Sequence, residues 1–230
     1  MYKLILCRYL LLSGLSMLMA ACASLPSQSI KSETIAPQPN PSESYYARVV
    51  AAAAAEHEGK SGFLSLRDGV EALAARLAII EGAQVSLELQ YYIWHDDIVG
   101  KVLHNRLLAA ADRGVKVRLL LDDLDTAGKD RLLSMLNAHP NIEIRVFNPF
   151  ANRNARWLDF LSDAKRMNHR MHNKAITADA VVSILGGRNI GDEYFGVPAD
   201  VSFSDLDVVA IGSVAQEVQQ SFYLYWNSQW

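Results

Sequence analysis

VSLELQYYIWHDDIVGKVLHNRLLAAADRGVKVRLLLDDLD, Val85 to Asp125, carries two hydrophobic periods in one stretch. Val85, Leu87, Leu89, Tyr91 and Ile93 alternate with Gln84, Ser86, Glu88 and Gln90, the two-residue period of a strand. Ile98 to Asp112 reads as a helix, and Gly114 suits its C-terminal cap. Val115 to Leu121 is then apolar except at Lys116 and Arg118, as in a strand with little exposed surface. Strand, helix and strand in this order predict a right-handed crossover between parallel strands.

Working outward, Val70, Leu73, Leu77 and Ile80 recur at helical spacing ahead of the stretch. A helix over Lys129–Ala138 and a strand over Ile142–Phe147 follow it. The fold class is therefore α/β, with a largely parallel mixed sheet covered by helices on both faces. Asn148 to Arg170 shows no clear period and reads as a long functional loop or lid, basic through Arg153, Arg156, Lys165, Arg166 and Arg170. Next comes a hairpin in which Ala178-Asp179-Ala180 turns the chain and Val181–Leu185 returns it. A strand over Leu206–Ile211 and a helix from Val214 complete the pattern, with Ser213 as its expected N-cap.

The N-terminal end reads differently. Met1–Ala21 has Lys3 and Arg8 ahead of a short apolar run, and it ends in small residues before Cys22, as a leader would. Leu18-Met19-Ala20-Ala21-Cys22 resembles a bacterial lipobox, which implies cleavage before Cys22 and lipidation of that cysteine. Residues 22–60 then read as a lipid anchor and flexible tether, rich in Ser, Pro and Gln, and 61–230 as the folded domain. The Ala51–Ala55 run can be helical within that tether. The expected location is the bacterial cell envelope, anchored to a membrane and facing the periplasm, and Ala23 points toward the outer membrane. Cys7 and Cys22 are the two cysteines, so the folded domain has no thiol or disulfide. The chain's formal charge is −3; without Lys3 and Arg8 it holds 20 basic against 25 acidic residues. That balance argues against nucleic acid as a partner, since such binding depends on neutralising phosphates.

The hairpin holds the chemistry. On a strand, His172 and Lys174 project from one face with Ile176 behind them. Gly186 and Gly187 let backbone approach a ligand, and Asn189 adds an amide donor. An imidazole that attacks or moves protons, beside an ammonium and an amide that hold phosphoryl oxygens, makes a phosphate site. Two further clusters carry metal-ligating residue types. Asp122, Asp123 and Asp125 follow a parallel strand and offer oxygen ligands to a divalent cation, but an acidic loop that starts a helix is the simpler reading. His169 and His172 fall on opposite strand faces, so no metal and no cofactor is expected.

His172-x-Lys174-x4-Asp179-x6-Gly186-Gly187-x-Asn189 resembles the signature of the phospholipase D superfamily residue for residue. LELQYYIWHDDIVGKVLHNRLLAAADRGVKVRLLLDDLD, NHRMHNKAITADAVVSILGGRNIGDEYF and DLDVVAIG are similar to its cardiolipin synthase branch, over roughly Leu64 to Trp230. The resemblance implies a phospholipase D-like α/β/α sandwich. It also implies a metal-independent phosphatidyltransferase or phosphodiesterase, acting on membrane glycerophospholipids through a phosphohistidine intermediate. Carried over by position, His172, Lys174 and Asp179 form the catalytic motif, with the Asp179 side chain open to a structural role rather than substrate contact, and Lys174, Asn189 and Gly187 bind phosphate. A carboxylate orients the histidine, with Asp205 the candidate and Asp207 the alternative.

Enzymes of that branch carry two such motifs, whereas this chain has one: no other histidine has a lysine two residues on. The resemblance therefore implies the first half of a two-motif enzyme. Its partner would be a second motif-bearing half, either a missing C-terminal domain or a second copy of the chain. The alternatives kept open are a homodimeric single-motif nuclease and an inactive remnant.

Overall fold

The computed structural model describes residues 33–37, 44–198 and 200–230. The expected leader Met1–Ala21 and lipidation site Cys22 lie outside the described residues. The rest divides into two compact units, Phe150–His169 and the remainder of the described chain.

The larger unit is built on one seven-stranded sheet in the order β1-β7-β6-β5-β2-β3-β4. The strands are β1 Gly62–Leu66, β2 Ser86–Tyr91, β3 Lys116–Asp122, β4 Ile142–Phe147, β5 Lys174–Ala178, β6 Val182–Gly186 and β7 Asp207–Ile211. Its helices are α1 Tyr45–Ala54, α2 Gly69–Gly82, α3 Ile98–Asp112, α4 Asp130–Asn137 and, after the two helices of the smaller unit, α7 Ser213–Trp226.

The mixed α/β architecture expected from the alternating periods is present, but the parallel part is smaller than expected. β2 pairs with β3 and β3 with β4 in parallel; β2–β5, β5–β6, β6–β7 and β7–β1 are antiparallel. Connection length explains the split. Helical crossovers join β2, β3 and β4, whereas β5 and β6 are joined by a tight turn with Asp179 at φ 53° and Ala180 at φ 57°. Positive φ at two successive turn residues matches the right-handed twist of a hairpin.

β2 is buried along its whole length. Leu87, Leu89 and Tyr91 enter the main core with Ile79, Ile80, Val99, Leu103 and Leu107, and each fully buried side chain of this kind contributes roughly 2 kcal/mol. The opposite face carries Ser86, Glu88 and Gln90, all buried. There α7 supplies the partners: Gln219 Nε2 and Tyr223 Oη donate to Glu88 at 3.1 and 3.2 Å, and Arg118 Nη1 lies 3.4 Å away. The strand-like alternation thus marks an apolar and a polar interior face rather than core and solvent.

Three boundaries differ from expectation. Tyr45–Ala54 is a helix inside the stretch read as tether, capped by Ser44 and tied to α2 by Tyr46 Oη, which donates to Ala78 O at 2.7 Å. Thr34 is held too, exchanging two hydrogen bonds of 3.0 Å with the Asn227 amide. The last helix begins at Ser213, not after it; Gly212 at φ 89° occupies the cap position, and Ser61 Oγ accepts the Val214 N–H from outside the helix. Among the described residues no helix is long and apolar enough to cross a membrane.

The smaller unit holds α5 Trp157–Ser162 and α6 Ala164–Met167, short helices where a loop was expected. Asp159 fastens it internally, accepting from Asn152 N at 3.0 Å and Asn152 Nδ2 at 2.9 Å.

Candidate active site

Register brings Lys174, Gly186 and Asp122 to one end of the strands. Tyr91, last in β2, lies opposite Lys174, first in β5; Gly186, last in β6, lies opposite Asp207, first in β7; and Asp122 ends β3. His172 stands just before β5 rather than inside it, and it is exposed. Its position is set from behind. Asp122 is buried and accepts from Met171 N at 2.7 Å and Arg170 Nη1 at 3.0 Å, which fixes the two residues before the histidine. Burial pushes the Asp122 carboxyl upward, and these hydrogen bonds with the Arg170 charge oppose that push.

Lys174 is buried, and its Nζ lies 3.0 Å from His172 Nδ1 and 2.8 Å from His172 O. The Tyr92 ring backs both groups, 4.5 Å from the imidazole centroid and 5.3 Å from Lys174 Nζ. Desolvation is the first cause lowering the His172 pKa, and the Lys174 charge is the second; the Asp122 charge opposes both. Lys174 is itself lowered by desolvation, with the Asp205 charge acting against it. Both causes favour the neutral imidazole. When Lys174 donates to Nδ1, the ring proton resides on Nε2.

Asp205 was expected to orient the histidine. Among the described residues no hydrogen bond joins it to His172; its Oδ1 accepts from Leu206 N at 2.8 Å, and its charge acts on Lys174. The physical reason is that Lys174 already occupies Nδ1. Asp207, the alternative, is fully buried between two guanidiniums, 2.9 Å from Arg76 Nη2 and 3.4 Å from Arg188 Nη1. It is a fixture of the core.

Asp179 lies at the other end of β5 from His172. Its carboxylate accepts the N–H groups of Gln84, Val85 and Ser86 at 2.8 to 3.2 Å, fastening the entry of β2 to the hairpin turn. It is therefore removed from the imidazole and serves the backbone.

Gly187 and Gly186 have a different reason from the one expected. A Cβ on Gly187 would meet Asp205 Oδ1 at 1.9 Å, and one on Gly186 would meet Asp207 Oδ1 at 2.1 Å. The pair makes room for two carboxylates of the neighbouring segment. Asn189 is buried and engaged at both ends: Oδ1 accepts from Ile93 N at 3.2 Å, and Nδ2 donates to Tyr194 Oη at 3.0 Å. It holds the strand extension beyond β2 against the loop after β6.

Sequence reasoning missed Asp122 as the anchor of the site, and it favoured a packed strand end over a pocket wall for the aromatics Tyr91, Tyr92 and Trp94. The acidic residue closing a parallel strand was the available signal for Asp122, read instead as the start of a loop. Of groups that could take a cation, His95, Asp97 and Glu193 bring ligand atoms within 4.8 Å of one another. These groups already serve each other and the backbone: His95 Nδ1 pairs with Glu193 at 3.2 Å, and Asp97 accepts from Gly100 N and Asp192 N.

Residues 77–226 match the family model described as cardiolipin synthase, PLD-like domain. The chain belongs to that family. Cardiolipin synthase C of Escherichia coli K12 is 52% identical over 171 residues, which are 74% of this chain and 36% of the relative. The chain thus spans about a third of the length of that relative. Among solved structures, the phospholipase D family member Nuc from Salmonella typhimurium superposes with a TM-score of 0.53 at 19% identity, over 73% of this chain and 95% of its own. Phosphatidylserine synthase from Haemophilus influenzae gives 0.53 at 14% identity, over 72% of this chain and 36% of its own. These two likenesses show the fold: the PLD-like domain here is a mixed sheet between helices of the same kind.

Proposed function

We propose that this PLD-like domain is one half of a phosphatidyltransferase or phospholipase D-type site acting on membrane glycerophospholipids. The observation that carries it is the Lys174–His172 contact of 3.0 Å at the start of β5, where His172 is exposed. A phosphodiester entering there competes for the Lys174 ammonium, and its oxygens take the charge that now faces Nδ1. The imidazole, released from Lys174, attacks phosphorus while the bond to the leaving alcohol breaks and that oxygen takes a proton from a second histidine. An acceptor hydroxyl then attacks the phosphohistidine, its proton returns to the second histidine, and the P–N bond breaks. A head-group alcohol as acceptor gives cardiolipin-type synthesis; water gives hydrolysis. Asp205 is the proposed orienting carboxylate once Nδ1 is free.

The second histidine comes from a second motif-bearing half, either a C-terminal domain or a second copy of the chain. The domain acts from the periplasmic side, held to a membrane through lipidated Cys22, which keeps it beside its substrate. The test is turnover of labelled phosphatidylglycerol by the full chain, alone and with a polypeptide carrying a second His-x-Lys motif. Cardiolipin or phosphatidic acid that forms with the supplement and vanishes in His172→Ala supports the reading. Cleavage of DNA without lipid turnover would replace it with the nuclease alternative.

A further inference from the structure

The short helix α5 is amphipathic in the wrong sense for a water-facing element. Trp157, Leu158, Phe160 and Leu161 are 63%, 38%, 43% and 76% exposed, while Asp159 is 1% exposed. At about 100° per residue these four apolar side chains share an arc of about 160°, with Asp159 on the opposite side. A surface helix of a soluble domain does the reverse, turning its apolar stripe inward and its carboxylates to water. The buried Asp159 is committed to Asn152, so the polarity of the helix is fixed by its own unit.

We infer that Phe150–His169 is a membrane-docking segment that sets the apolar face of α5 into the interface of a bilayer containing anionic glycerophospholipid. The residue types are those of an interfacial helix: Trp and Phe at head-group depth, with leucines reaching the acyl boundary. Charge agrees. Arg153, Arg156, Lys165 and Arg166 stand against Asp159 and Asp163 in a chain whose formal charge is −3. Of the two acids, Asp159 is buried and Asp163 pairs with Arg166 at 3.3 Å. Lys165 is exposed. Basic charge near an anionic leaflet contributes about 1 kcal/mol per residue and falls with salt. A second copy of the chain is the poorer occupant, because a stable protein interface needs about 800 Å² from each partner and a six-residue helix offers far less. A bilayer needs only a few interfacial side chains. The inference deepens the proposed lipid chemistry and rests on it for the choice of lipid alone.

The test uses the full chain with Cys7→Ser, Cys22→Ser and His172→Ala, so that neither lipidation nor turnover enters. Leu161→Cys carries an environment-sensitive nitrobenzoxadiazole probe, and Met135→Cys, also exposed and in α4, is the control. Vesicles of phosphatidylcholine alone are compared with vesicles containing phosphatidylglycerol. Docking predicts a blue shift and quenching by spin-labelled lipid at 161, not at 135, on the anionic vesicles, weakened several-fold at high salt. Trp157→Asp is expected to lower the shifted fraction at least tenfold at equal vesicle concentration, with the circular dichroism spectrum unchanged. A probe at 161 that stays water-like on vesicle-bound protein overturns the inference. So does a shift that follows protein concentration without vesicles, which assigns the face to a second copy. Because the catalytic histidine is absent throughout, failure here leaves the turnover experiment untouched, and failure there leaves this one untouched.

Discussion

Lys174 has two roles that pull in different directions, and the imidazole records both. Its ammonium holds His172 by Nδ1 and lowers the imidazole pKa second only to desolvation. Lys174→Ala is therefore expected to raise the His172 pKa toward its ordinary value, read from the pH titration of the ring-proton resonance. In the complemented enzyme, turnover should fall by roughly 10²- to 10³-fold, the usual loss when a charge-stabilising donor is removed. Asp179 is expected to behave differently despite its place in the motif. Asp179→Ala leaves three N–H groups without their acceptor, a loss of roughly 3 kcal/mol in unfolding free energy by denaturant titration. The His172 titration should barely move. His104 supplies a third outcome. Its ring is buried, stacked on Trp94 at 4.8 Å, with both nitrogens unpartnered among the described residues, and burial lowers its pKa to about 4. The unfolded chain takes that proton near pH 6.5, so it binds more protons than the folded protein between the two values. Stability is full above pH 6.5 and falls by about 3 kcal/mol as pH drops to about 4. His104→Phe, which keeps the stacking, should flatten that part of the curve. None of this division of labour was legible in the motif's spacing, because spacing does not tell a residue that touches phosphate from one that ties down backbone.

The helix α7 docks through both kinds of contact: Phe222 and Trp226 pack with Leu120, Phe147 and Met171, while other residues reach a polar set in the interior. Glu88 receives hydrogen bonds from Ser86, Gln219 and Tyr223, and Arg118 sits beside it. Burial raises the Glu88 pKa, with those hydrogen bonds and the Arg118 charge opposing the shift. Removing one member of such a set leaves the others unpaired inside the protein, so Glu88→Ala is expected to cost about 3 to 5 kcal/mol. Glu88→Gln keeps an acceptor for the same donors and should cost clearly less; thermal denaturation of the two variants makes the comparison. The strand, helix and hairpin positions were legible where a period ran through the element, as in β2, α3, β3 and β4. β1 was not. Its residues are mostly exposed, and its partner β7 lies at the other end of the domain, so no local pattern marks it. The helix α1 was masked by its composition: an alanine run beside a proline-rich stretch looks like tether until Tyr46 is seen to hold α2.

The domain presents one His-x-Lys histidine, His172, just before β5, and the proposed two-histidine reaction requires another. The full chain is expected to turn over phosphatidylglycerol only in an assembly that supplies it, with solution mass separating a pair of identical chains from a mixed complex. The largely parallel sheet expected from sequence is antiparallel over four of its six pairings, because crossover patterns announce parallel strands while the non-local β7–β1 pairing announces nothing. That pairing also orders events in time. β1 leaves the ribosome early, yet β7, against which it must lie, ends at Ile211, and β5 reaches the open side of β2 only after residue 174. Pairings of such long sequence separation form late and slowly. During synthesis β2 therefore keeps one side unpaired until β5 has emerged, and β1 stays unpaired until β7 has, and an uncovered strand edge of this kind is a template for pairing with other chains.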